Sequence, residues 1–438
     1  MPQTLTQVAA SLTRFPFAIT LFGVQQAWNV LTRPASKQAE KALYRVTSAV
    51  SSQMAGNAPA YAILQVGDYL QSSALDLLAD LLFLETDRAG ELLRTAAQRA
   101  LDTGRALTPG SHLQNTIVTA RNTFGVVNLV NRTEALLALP PGPIDLPSAI
   151  DRAYTFPDYA TLWVVEGLGR EYADREWTGV NTSGLLTESA AALPEKSLLM
   201  MHAGAGITYA RRILNPLTPY DCPRHFEAAL AQFAALVQAN CRPGYFGPAY
   251  ESLGLVARTW FPQLVPLLDL ALVDRDDEIL EYFWHGVGRA LYFNPVYLIP
   301  GKSAFAGARL EAPSDIAYRN AIAGASWAFA LVNLRSLDTV ANLLPQYLVE
   351  SKYPPAISNG ILSTLLMASE MVPHNSLPGE VALFEPATGS DLWNDLVRSP
   401  WVRARQTILP ALRHRKLLGE VFRYQNLEFL ADGLGGVH

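Results

Sequence analysis

The sequence predicts an all-α protein built from helical-hairpin repeats, and three observations carry that expectation. Apolar residues recur at spacings of three and four, strand-like alternation is scarce, and short glycine-centred segments return at a near-constant interval.

The helical period is plainest in Tyr61 to Glu85, YAILQVGDYLQSSALDLLADLLFLE, where the apolar positions fall on one helix face. Beyond Gly90, residues Glu91 to Leu101 continue it with the strong helix formers Ala, Leu, Arg and Gln. No hairpin dipeptide separates alternating apolar runs, and no strand–helix alternation suggests a parallel sheet. At Leu139 to Pro147, LPPGPIDLP, four prolines and a glycine stop any helix, because proline lacks the amide donor and restricts its neighbour. This divides the chain into an N-terminal helical region (1–139), a Pro-rich linker (140–147) and a helical repeat body (148–438).

In the body the repeats read VVEGLGREYA (Val164 to Ala173), MHAGAGITYA (Met201 to Ala210), YESLGLVA (Tyr250 to Ala257) and YFWHGVGRAL (Tyr282 to Leu291). Weaker copies follow at Asn320 to Trp327 and Ser358 to Ser363. Aligned on Gly169, Gly206, Gly254, Gly288, Gly324 and Gly360, the successive intervals are 37, 48, 34, 36 and 36 residues. One helical hairpin with its connections occupies such a period. The array is either an open solenoid or a closed α/α ring, which the period alone does not decide. Glycine inside a helix costs about 1 kcal/mol relative to alanine. Its recurrence calls for close approach, either of a neighbouring backbone or of a ligand lying on Gly169, Gly206 and Gly288.

Composition narrows the function. The 438 residues carry 34 basic and 39 acidic side chains, a net charge of −5, and 17% charged against 50% hydrophobic residues. An acidic balance argues against a general nucleic-acid binder, and two cysteines cannot form a disulfide scaffold. The best spanning candidate, Phe15 to Val24 near the N-terminus, is only ten residues long, is interrupted by Pro16 and lacks a signal-peptide cleavage pattern. The expectation is a cytoplasmic protein, with membrane association left open, whose apolar excess lines its own interior or a cavity.

Dinucleotide and phosphate-loop readings fail. The third fingerprint position holds Tyr172, Tyr209 or Leu291, and the glycine required before Gly301-Lys302-Ser303 is Val296. Ser326 lacks a nucleophile-elbow context, and Cys222 and Cys241 lack a paired motif, so no metal site is expected and no cofactor is named. The repeat register offers more. Glu166, Glu251 and His285 stand three residues before their anchoring glycines, and His202 stands four before its own. Stacked repeats project equivalent positions to one side, so these four could meet as an acid–base cluster or as a polar layer tying helices together. Arg170 and Arg289 follow their glycines directly and could pair with the carboxylates or hold a substrate. A second candidate is the acidic run Asp274-Arg-Asp-Asp-Glu278, whose Asp274, Asp276 and Asp277 match the short proton-donating motif of class II terpene cyclases. Acids also gather at helix starts for electrostatic reasons alone. Finally, Arg403 to Arg423 is locally basic and is a candidate face for an acyl-carrier protein or anionic surface, or a solvated helix face.

Taken together, EGLGREYA (Glu166 to Ala173), HAGAGITYARRIL (His202 to Leu214), HGVGRALYF (His285 to Phe293) and AGASWAFA (Ala323 to Ala330) resemble an uncharacterised bacterial family associated with enediyne polyketide biosynthetic clusters. The resemblance spans residues 150–375. It implies a biosynthetic enzyme or accessory protein handling a long, apolar, polyene-like substrate, and supplies no catalytic residues. The alternatives are a non-catalytic helical scaffold and a terpene-cyclase-like enzyme.

Overall fold

A computed structural model describes residues 112–187, 193–273, 277–294, 303–373 and 377–432. Most of the expected N-terminal region lies outside these. The chain divides into two compact units, Met1–Arg121 with Asn294–Ser303, and Asn122–Phe293 with Ala304–His438. The second holds the glycine-centred segments and is described below.

The described residues are helical, with no strand among them, as the periodicity predicts. Helices α1 (His112–Asn131), α2 (Thr133–Leu136) and α3 (Leu146–Ala153) lead into α4 (Asp158–Arg175). Two kinds of helix then alternate. One kind is α4, α5 (Glu195–Leu214), α7 (Phe246–Trp260), α9 (Asp277–Phe293), α11 (Asp315–Val332) and α13 (Pro354–Met371). Each packs on the next of its kind. These helices carry the glycines and are buried on nearly every face: residues 197–210 of α5 and 320–332 of α11 are all buried. A helix that is apolar all round belongs in a core.

The other kind returns the chain between them: α6 (Pro223–Asn240), α8 (Val265–Val273), α10 (Ala304–Glu311) and α12 (Leu337–Ser351). In α6 only Phe226, Ala229, Leu230, Phe233, Leu236, Val237 and Asn240 are buried, a single stripe at spacings of three and four. The one irregular interval holds the longest of these returns, although the 15-residue α12 fits a step of 36. The 48-residue step from Gly206 to Gly254 contains α6 with 18 residues, whereas α10 has 8.

Glycine makes the inner crossings possible. A side-chain carbon added at Gly169, Gly204, Gly206, Gly254, Gly286, Gly288, Gly324 or Gly360 would lie closer than 3.0 Å to backbone of the neighbouring inner helix. The space beside Gly169, Gly206 and Gly288 is therefore filled by Met201, Ala249 and Ala321, and the expected close approach is that of protein backbone. Hydroxyls tie the same crossings to neighbouring carbonyls: Thr208 to Arg170 at 3.1 Å, Ser252 to Ala203 at 2.8 Å and Thr364 to Trp327 at 2.9 Å. Contacts also run beyond immediate neighbours. The Tyr159 hydroxyl of α4 donates to the Val332 carbonyl at 2.6 Å, Trp163 meets Phe293 edge-on, and α5 touches α13.

After α14 (Leu377–Leu383), short helices and a π-turn lead through α16 (Ser399–Gln406) and α17 (Ile408–Arg415), with α15 (Ser390–Trp393) before them. A 3-10 turn, Leu418–Phe422, follows, and α18 is Leu427–Asp432. This C-terminal segment straps across the inner helices. Gly419 donates to the Gly244 carbonyl at 3.0 Å, Asn320 accepts from the Tyr424 amide at 2.7 Å, and Asn359 donates to the Gln425 carbonyl at 2.7 Å. Among the described residues no single helix is long and apolar enough to cross a membrane.

Candidate functional site

Helix α9 brings His285 and Arg289 one turn apart on the same face, the i, i+4 spacing that makes side chains neighbours. Arg289 reaches Glu166 of α4 through Nη2 at 2.5 Å and Glu251 of α7 through Nη1 at 3.2 Å. His285 Nδ1 lies 3.3 Å from the other Glu251 oxygen. All four side chains are buried. The guanidinium lies over the Trp327 indole, 4.6 Å from the ring centre. Trp327 and Phe422 both stand edge-on to or tilted against the cluster, with His285 6.4 Å from Trp327 and 6.5 Å from Phe422.

The glycine crossings position this cluster. The carbonyls of Glu166, Glu251 and His285 are the atoms that meet Gly204, Gly286 and Gly324 of the next inner helix. A residue three before its anchoring glycine thus has its backbone pinned at the crossing while its side chain turns inward.

Electrostatics follow from burial. Desolvation raises the Glu166 carboxyl above the usual carboxylate range, and Arg289 offsets this only in part. Desolvation also lowers the His285 imidazole, against the raising influence of Glu251, so the ring is neutral near pH 7. Burial works against the Arg289 charge, but the Glu166 and Glu251 carboxylates outweigh it and hold the guanidinium charged. An ion-paired carboxylate only accepts hydrogen bonds, so the His285 nitrogen facing Glu251 carries the ring proton and Nε2 presents its lone pair. His285 Nε2, Arg289 Nε and Trp327 Nε1 are buried without a hydrogen-bond partner. Buried atoms of this kind also occur on Trp163, Tyr209, Asn359, Ser363, Trp393 and Arg398, but these three belong to residues gathered around one indole.

His202, the fourth residue of the expected cluster, lies elsewhere. It stands one position off the register of the other three, and one residue turns a helix by about 100°. Its Nδ1 bonds the Leu198 carbonyl at 2.6 Å, its Nε2 accepts from the Arg242 amide at 3.1 Å, and its ring stacks on Tyr245. Both nitrogens are thereby satisfied, and burial lowers its pKa to about 4. Arg170 turns to the Asn131 side chain and the Val130 carbonyl, at 3.1 and 3.3 Å, although its charge still favours ionised Glu166. Asp274 and Asp276 lie outside the described residues, and Asp277 opens α9. Among the described residues no three His, Cys, Asp or Glu side chains are placed to hold a metal ion.

The basic C-terminal run is largely engaged within the chain. Arg403 pairs with Glu428, Arg413 with Glu370, and Arg415 with the Leu430 carbonyl. Arg423 reaches Glu278, Glu281 and Glu420. Trp327 and Phe422 were not marked by the repeat register. Trp327 stands three residues after Gly324, the offset at which two other copies carry Tyr172 and Tyr209, and Phe422 arrives through the C-terminal strap.

Fold and site define an all-α protein with a buried Glu–Arg–Glu–His cluster at glycine-mediated helix crossings. No protein-family model matches the chain, and no curated protein or solved structure matches it at a significant level.

Proposed function

We propose that this protein is a bacterial secondary-metabolite biosynthesis protein, an enzyme or accessory, that binds a long apolar molecule with its polar end at Glu166, Glu251, His285 and Arg289. The observation that carries the reading is the group of unpartnered buried nitrogens on His285, Arg289 and Trp327. A cluster serving packing alone gains nothing from buried donors and acceptors left open, each of which costs about 1–3 kcal/mol. A ligand group that meets them recovers that cost. The apolar, aromatic surroundings suit a hydrocarbon body, and a cluster of carboxylates and a neutral imidazole suits acid–base chemistry on its polar end. The motif resemblance to the enediyne-associated family points to the same substrate class.

A scaffold without chemistry is the second reading, favoured by the glycines, all of which at the inner crossings face backbone. Native mass spectrometry and solvent extraction of purified protein decide between them. The first reading expects a copurifying or added apolar molecule to be retained, and its loss in a Glu166→Ala/His285→Ala variant that keeps its helical circular dichroism. Retention of the same molecules by that variant, or none retained by the parent protein, supports the scaffold.

A further inference from the structure

Resting on that reading of the site, we propose that the polar end of the ligand is a neutral hydroxyl group, whose O–H donates to His285 Nε2 and whose oxygen accepts from the N–H groups that Arg289 and Trp327 leave open. The three atoms set unequal demands. Glu251, as an ion-paired carboxylate, takes the proton-bearing side of the His285 ring, which leaves Nε2 as an acceptor in need of a donor. Arg289 Nε and Trp327 Nε1 are donors in need of an acceptor. His285 and Arg289 flank the same indole, the ring centre of the first 6.4 Å and the guanidinium carbon of the second 4.6 Å away.

Other polar ends serve this set less well. A ketone or ester carbonyl only accepts, so His285 Nε2 would remain unpaired. A carboxylate would be a third acid beside Glu166 and Glu251, which already share the Arg289 guanidinium between them. An ammonium donates but cannot accept from Arg289 or Trp327, and it would face the guanidinium. A hydroxyl both donates one hydrogen bond and accepts two. Glu251 is then a positioning residue that fixes the His285 tautomer, and the same arrangement would let His285 draw the hydroxyl proton toward Nε2.

The test compares 1-decanol, 2-decanone and decanoate on the full chain by native mass spectrometry and by competition for retention. Decanol is expected to bind about tenfold more tightly than the other two, the loss expected when one buried hydrogen-bonding group is left open. His285→Phe should weaken decanol by about the same factor and leave 2-decanone unchanged, whereas Trp327→Phe, which removes a donor to either oxygen, should weaken both. Equal binding of decanol and decanone, or tighter binding of decanoate, overturns the hydroxyl assignment while leaving the apolar-ligand reading intact. Failure of all three ligands to bind the folded chain overturns both. Nitrogen-15 histidine NMR on the unsubstituted protein gives a readout that does not depend on the variants folding: His285 should carry its proton on Nδ1, and a proton on Nε2 instead overturns the assignment.

Discussion

The Cα of Gly286 rests against the main-chain carbonyl of Glu251, so close that a side-chain carbon on the glycine would fall within 3.0 Å of that oxygen. The next residue back, His285, is the one that meets the Glu251 side chain. Backbone crossing and polar contact are therefore fixed by adjacent residues on one helix. Gly286→Ala should strain both, because the obstructing atoms are backbone and cannot rotate away. The expected destabilisation is about 3 kcal/mol, the upper end of what overpacking costs, read as a lower midpoint in urea unfolding. Gly379→Ala, in α14 where nothing lies within 4 Å of the added carbon, should instead raise the midpoint, by up to about 1 kcal/mol of stability.

Arg289 carries the charge balance of the interior. Arg289→Met leaves Glu166 and Glu251 buried without their cation and should destabilise by about 3–5 kcal/mol. Adding Glu166→Gln and Glu251→Gln to the same chain removes the uncompensated charges and should restore most of that loss. Denaturant melts of the single and triple variants check it, and equal instability in both would show that charge balance is not what Arg289 supplies.

The pH dependence has a defined sign at His202. Unfolded, its imidazole takes up a proton near pH 6.5; folded, it does so only near pH 4, because burial opposes the charge. Between those values the unfolded chain holds more protons, so stability is full above pH 6.5 and falls toward pH 4, by about 3 kcal/mol for this group. The raised Glu166 carboxyl works in the opposite sense, its contribution being present at low pH and lost as pH rises through its folded value. Comparing stability against pH for the parent and His202→Gln isolates the histidine: the variant should show a flatter slope between pH 6.5 and 4.

At the C-terminus, Arg423 reaches the carboxylates of Glu278, Glu281 and Glu420 and lies over the Tyr282 ring at 5.2 Å. Arg423→Leu should cost on the order of 2 kcal/mol, since several charges share this mostly covered side chain. Added salt should weaken the parent protein more than the variant, read in thermal melts at low and high ionic strength.

How much of this could be read from the sequence differs from residue to residue. The inner helices were legible because each carries a glycine that a helix otherwise avoids, and the interval between those glycines marks one hairpin. Glu166, Glu251 and His285 were legible because all three stand at the same offset from their glycines, which is the position of the crossing. His202 resembles them in type and location but differs by one residue, and that rotation sends it to Leu198 and Arg242. Phe422 could not be found in this way, because a strap from the chain end delivers it to His285. The basic run misled for a related reason. Glu370 and Glu281, which pair with Arg413 and Arg423, lie 43 and 142 residues away, beyond the reach of any local pattern.

The alternation of inner and outer helices sets where this chain can change length. Inserting or deleting one residue midway along α9 would turn everything beyond it by about 100°, separating Gly286 from Glu251 or Arg289 from Glu166 in a single event. The outer returns carry no such shared register, and they already range from 8 residues in α10 to 18 in α6. Related chains should therefore differ in length at the returns and keep the inner helices to the residue, so that an alignment anchored on the glycines would show gaps only between them.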